Sequence, residues 1–128
     1  MFLGFDVVGL FPHIPKAVIM GAMGGLLTEA NVGHDKLTEF FALFNCCWCL
    51  NYCQFKGEIF ELTDKVGIAI GSPLGSLIAE VFMNTFEKNL FSSNHSLLPH
   101  IVYWHRYVDD VQCLWSETTD DAKELTSF

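Results

Sequence analysis

The chain has 128 residues, of which 51% are hydrophobic and 17% charged, and fifteen acidic against seven basic residues leave a formal net charge of −8. That length holds one domain with one core, and the composition excludes a disordered, charge-rich tail. The charge excludes a nucleic-acid binder that supplies its own basic patch: either nucleic acid is not the partner, or the basic surface lies on segments outside this chain.

The predicted elements follow in chain order. Phe2 to Val8 is a short apolar stretch carrying one charge, Asp6. Gly9-Leu10-Phe11-Pro12 breaks it, which predicts a buried strand ending near Asp6–Val8. Pro15 suits a first-turn position. Lys16 to Leu27 then predicts a helix, weakened by Gly21, Gly24 and Gly25. Asp35 is placed to cap a second helix, along which Leu37, Phe40, Phe41 and Phe44 recur at helical spacing up to a cysteine cluster. Phe55 to Leu62 alternates apolar and polar residues around Lys56-Gly57 and predicts a hairpin. Ser72 and Pro73 start a further helix with a capping hydroxyl and a proline at the first helical position. Leu74, Leu77, Ile78, Val81, Phe82 and Phe86 form its apolar stripe. Ser92 to Ser96 is a loop. Ile101–Tyr107 and Val111–Trp115 are β-rich runs on either side of Val108-Asp109-Asp110, predicting a second hairpin with two adjacent carboxylates at its tip. Glu117 to Phe128 opens a last helix. Helices on one face of a small antiparallel sheet satisfy this order, so the expected class is α+β.

No basic leader precedes the first strand, and the longest apolar run, Ala17 to Leu27, has 11 residues, against ~20 for a membrane span. No membrane is therefore expected as a partner. Four of five cysteines fall within eight residues (Cys46, Cys47, Cys49, Cys53), unlike a secreted disulfide framework. A reducing, intracellular compartment is expected, the nucleus among the options. Charged residues usually reach ~25% of a domain, so the apolar surplus reads as surface meant to be covered by something absent from this chain.

Two places put aspartate in apolar, β-rich surroundings: Phe5-Asp6-Val7-Val8 and Arg106-Tyr107-Val108-Asp109-Asp110-Val111. Carboxylates there are costly unless paired or metal-bound. Arg106, the sole arginine, cannot satisfy all three. If the two strands are neighbours, Asp6 and Asp109 converge and repel, and a divalent cation reverses the sign of that interaction. Hard oxygen ligands favour Mg²⁺, with Mn²⁺ as a substitute. Two such ions stabilise the attacking and leaving oxygens of a phosphoryl transfer. Neighbouring strand residues point to opposite faces, so Asp109 and Asp110 need not do the same job. On spacing alone, Asp109-Asp110 also fits a plain polar turn.

Three segments together resemble a known family. Phe5-Asp6-Val7-Val8-Gly9-Leu10-Phe11-Pro12-His13-Ile14-Pro15 resembles the first palm motif of reverse transcriptases, most closely the Penelope-like retroelement branch. Gly67-Ile68-Ala69-Ile70-Gly71-Ser72-Pro73-Leu74 is similar to the second motif, and Arg106-Tyr107-Val108-Asp109-Asp110 to the third. The resemblance implies a palm-like antiparallel sheet with helices packed on one face, and an RNA-directed DNA polymerase taking dNTPs, an RNA template and a DNA primer. It implies that Asp6 and Asp109, with the Val7 carbonyl, ligate two Mg²⁺ ions and that Asp110 completes the acidic triad. Backbone amides from Val8 through Gly9 to Leu10 lie against the triphosphate, with Gly67 also near the nucleotide. Phe11 excludes a ribose 2′-hydroxyl; ordinary core packing is its alternative. Gly71, Ser72 and Pro73 approach the template or nascent pair, and Tyr107 flanks the primer end. Val66 stands where the family usually has Gln. On this resemblance residues 1–128 are a partial reverse transcriptase domain, the palm, with fingers and thumb missing. The isolated chain is then expected to be inactive or nearly so, and a non-catalytic retroelement remnant is the alternative.

Other constellations yield less. Cys46-Cys47-Trp48-Cys49 has metal or redox spacing, but it continues an apolar helical pattern and reads as buried helix cysteine. Trp48, Trp104 and Trp115 could stack bases, though packing is the default.

Overall fold

Residues 1–49, 52–61, 67–69 and 71–116 are described by a computed structural model. Along the chain these are strand β1 (Phe2–Asp6), helices α1 (Leu10–His13), α2 (Lys16–Glu29) and α3 (His34–Cys49), strands β2 (Tyr52–Phe55) and β3 (Glu58–Glu61), helix α4 (Gly75–Ser92), a 3-10 turn (Leu98–His100), and strands β4 (Ile101–Tyr107) and β5 (Asp110–Trp115). The class is α+β, as expected. The predicted helix after Glu117, with Val66 and Ile70, lies outside the described residues.

The chain divides into two compact units, Met1–Val8 with Met83–Phe128, and Gly9–Phe82. The first is built on a three-stranded antiparallel sheet in the order β1-β5-β4. Alternation along β5 buries Val111, Cys113 and Trp115 on one face. Leu3, Phe5, Ile101 and Trp104 pack against Leu97, Cys113 and Trp115 to make the core there. The last turns of α4 cover this face: the Phe91 and Trp104 rings meet edge-on at 5.6 Å. The expectation of a buried β1 is corrected, because Leu3 and Phe5 are half-buried and their neighbours exposed. The strand is covered on one face only, which is what alternation in an antiparallel sheet permits.

In the second unit, α2 closes with Asn31 at φ 57. The Val32 N–H donates to Leu27 O at 3.0 Å and the Asn31 N–H to Thr28 O at 2.9 Å. This is the paired hydrogen-bond closure that a left-handed residue allows at a helix end. Ile19 and Met23 are the buried residues of α2, Phe44 and Trp48 those of α3, each pair four residues apart on one helical face. Two expectations are corrected in α3. Cys46, Cys47 and Cys49 are exposed, not buried, since they fall off the Phe44–Trp48 face. Asp35 does not cap α3 but lies inside its first turn, where its charge still complements the helix dipole. Likewise α4 starts two residues after Pro73: Ser72 forms a turn, accepting the Gly75 N–H on its carbonyl at 2.9 Å. Of the predicted α4 stripe, Ile78 and Val81 are buried, but Leu77 and Phe86 are exposed.

The Lys56-Gly57 hairpin forms as predicted, with Phe55 opposite Glu58. Both turn residues have positive φ, 52 and 85, the requirement of the tight two-residue turn that suits strand twist.

Candidate active site

The tip of the β4–β5 hairpin is a two-residue turn between Tyr107 and Asp110, which are cross-strand partners. Val108 has φ 58, whereas Asp109 is not in the left-handed region. Turns with positive φ at the first central position alone normally carry glycine there. A β-branched residue in that region stores about 1–3 kcal/mol of strain.

On the other side of β5 the register places Asp6 directly opposite Asp110. Facing residues of an antiparallel pair share a face, with Cβ atoms about 4.5–5.5 Å apart. The Asp109 carbonyl accepts the Val7 N–H at 3.2 Å, tying the tip to the chain that leaves β1. Asp6 and Asp110 are exposed and Asp109 is half-buried. No hydrogen bond or ion pair from a described residue reaches any of the three carboxylates. Like charges directly opposite each other are destabilising, so the fold holds an uncompensated acidic pair.

Arg106 does not relieve it, because the register with Val111 puts its side chain on the core face. There its Nε donates to Glu87 Oε1 at 2.9 Å, its Nη2 to Asn84 Oδ1 at 2.8 Å and its Nη1 to the Val108 carbonyl at 3.0 Å. Glu87 Oε1 also accepts the Trp104 Nε1–H at 2.8 Å. Both side chains of this ion pair are largely buried, 7% and 18% exposed.

The face carrying Asp6 and Asp110 is open. Alternation adds Gly4, Gln112, Tyr103, His105 and Tyr107 to it. The Tyr103 and His105 rings stack at 6.2 Å, and Tyr107 at the tip is 77% exposed. None of these is a lysine or arginine.

Of the remaining predicted residues, Val8 is exposed at the end of the first unit's opening segment. The others belong to the second unit. Gly9 precedes α1 at φ 65, and its carbonyl lies 2.7 Å from His13 Nδ1. Leu10 is buried, and the Phe11 ring lies against Gly75 at the start of α4. Gly67 is buried at φ 84, with its N–H donating to Ile14 O at 3.1 Å, while the Ile68 N–H donates to Phe11 O at 2.9 Å. A Cβ on Gly67 would fall on the Pro12 backbone. The first and second motifs are therefore joined backbone to backbone, and glycine is required for contact as well as for φ. Gly71 is exposed at φ 92, and the Ser72 hydroxyl accepts the Leu74 N–H at 3.4 Å with Pro73 between them.

The structure thus brings Asp6, Val7, Tyr107, Asp109 and Asp110 to one hairpin tip, with Asp110 as the facing partner of Asp6. Glu87 and Asn84 are contributors that motif reading passes over. The available signal was Glu87 itself, a charge interrupting the apolar stripe of α4. Among the described residues no group of three or more His, Cys, Asp or Glu side chains gathers as a metal site. The facing pair is nonetheless a fitting one for Mg²⁺, which is commonly held by one or two carboxylates with water and phosphate completing its shell. No helix among the described residues is long and apolar enough to cross a membrane.

No family model matches the chain, and no curated protein matches it in sequence. Among solved structures it is similar to an apo telomerase from Candida tropicalis, truncated from its C-terminal domain. The TM-score is 0.64 at 16% identity, over 98% of this chain. The chain spans 26% of that telomerase chain. The likeness is one of fold, between this chain and part of that telomerase.

Proposed function

We propose that this chain is the palm portion of an RNA-directed DNA polymerase, most similar to the Penelope-like branch, which adds dNTPs to a DNA primer 3′-hydroxyl on an RNA template. The observation that carries this reading is the unpaired Asp6–Asp110 opposition on the open face of a telomerase-like fold. Three motifs in family order support it from the sequence.

Asp6, Asp109 and the Val7 carbonyl would hold Mg²⁺ or Mn²⁺, with Asp110, the facing partner of Asp6, completing the acidic triad. When bound, the metal neutralises charge on the attacking and leaving oxygens of phosphoryl transfer. The chain's own residues bind and orient. The facing carboxylates lie on a sheet whose other face is a packed core, which supports the strands that carry them. Tyr107, exposed on the same face, offers a ring against which a primer terminus can stack. The family resemblance would assign the triphosphate to the backbone amides from Val8 to Leu10 and the nucleotide to Gly67. It would assign rejection of a ribose 2′-hydroxyl to Phe11, whose ring lies against Gly75. Gly71, Ser72 and Pro73 would contact the template or nascent pair.

Titration calorimetry with Mn²⁺ tests the metal site. Binding by the 128-residue chain that Asp6→Ala abolishes is the expected result. A folded chain that takes up no Mn²⁺ would overturn it. The second reading, a non-catalytic remnant, draws on the open face, where no lysine or arginine among the described residues joins the acids; the same null titration would favour it.

A further inference from the structure

The strained turn and the buried arginine are parts of one device. Val108 is a β-branched residue at φ 58, a conformation that a free two-residue turn would abandon for a relaxed one. Relaxation would swing Asp109 away from its carbonyl contact with the Val7 N–H and shift the start of β5, where Asp110 faces Asp6. What opposes it is the Arg106 guanidinium. One N–H grips the Val108 carbonyl while two others are anchored on Asn84 and Glu87 of α4. Glu87 is itself fixed by the indole of Trp104. A planar fork with several fixed donors can bridge a helix and a turn simultaneously; a lysine ammonium on a flexible stem cannot reproduce that geometry.

We infer that Arg106 is a positioning residue: its guanidinium pins the Val108 carbonyl to α4 and so keeps Asp109 and Asp110 in register with Asp6. This deepens the reading above, and rests on it only in taking those carboxylates as metal ligands.

The experiment uses the whole chain and two readouts. Hydrogen exchange follows the Val7 amide, which reports the tip through its bond to Asp109 O. Mn²⁺ affinity reports the carboxylates. In Arg106→Gln and Arg106→Lys, Val7 protection falls about tenfold relative to the amides of the β5 core, and Mn²⁺ binding weakens about tenfold. Adding Val108→Gly to Arg106→Gln restores both, because glycine holds the turn without strain. Asn84→Ala leaves the Arg106–Glu87 pair intact, which keeps the test available if the arginine variants do not fold; it lowers Val7 protection by a smaller factor. The inference is overturned if Val7 protection is unchanged, if it falls only in step with the core amides, or if Val108→Gly gives no rescue. A wild-type chain that binds no Mn²⁺ overturns the metal reading alone, and Val7 exchange still decides the role of Arg106.

Discussion

The two hairpins of this chain are opposites. The β2–β3 hairpin has turn residues suited to its turn, Lys56 and Gly57 both at positive φ, yet its eight strand residues are all exposed. The β4–β5 hairpin has valine where a turn of its shape wants glycine. It is buried along one face and clamped by α4. The first is held by local chemistry and the second by tertiary contacts that override local preference. Strain of this kind persists where surrounding structure over-determines it, and here it coincides with the acidic tip.

The contrast can be broken most forcefully at its clamp. Glu87→Ala should cost about 3 kcal/mol in urea unfolding, because it removes the carboxylate that both pairs with the largely buried Arg106 and accepts the Trp104 N–H. Glu58→Ala in the other hairpin should stay within about 0.5 kcal/mol. Thiol labelling compares the strands themselves. Cys53 on β2 is exposed and Cys113 on β5 buried, so Cys113 should react about 100-fold more slowly in the native state. Burial also pushes the Cys113 thiol above its ordinary value of 9.0. Its preference for the neutral form contributes stability that is complete below pH 9.0 and lost as pH rises through the higher native value. Val108→Gly should stabilise the chain by about 1 kcal/mol by removing turn strain, whereas Gly57→Val should destabilise it by a similar amount. The smallest effect is expected from Asp6→Asn. Without metal it should stabilise by about 0.5 kcal/mol, since one of two facing like charges is removed. With Mn²⁺ present that sign should reverse if the facing pair binds the ion, and thermal melts with and without the metal read both.

Both hairpins were legible in the sequence because their signals are local. Alternation between Ile101 and Trp115, and the Lys56-Gly57 pair, need no knowledge of the remainder. The class and the helices around Phe40 and Ile78 were legible for the same reason. Helix starts shifted where side chains chose turns: Ser72 closes one before α4 begins, and Asp35 entered the first turn of α3. The exposure of Cys46, Cys47 and Cys49 was hidden because an apolar run does not say which of its faces is covered, and Phe44 and Trp48 took the buried one. At the tip, the presence of three acids was legible but their pairing was not. Which acid faces Asp6 depends on the conformation of one turn residue, Val108, and so on Arg106. Its partners Glu87 and Asn84 lie 19 and 22 residues away in sequence, beyond the reach of any periodic pattern.

The contact between Gly67 and Pro12 makes residue 67 a matter of handedness. A left-handed backbone angle and a carbonyl pressed against the position of an L side chain are two objections to one stereochemistry. D-alanine would direct its methyl to the other side of Cα and favour that φ, so it answers both; L-alanine, nearly the smallest change the genetic code allows, answers neither. Of the twenty encoded residues glycine alone fits there, for want of a stereocentre.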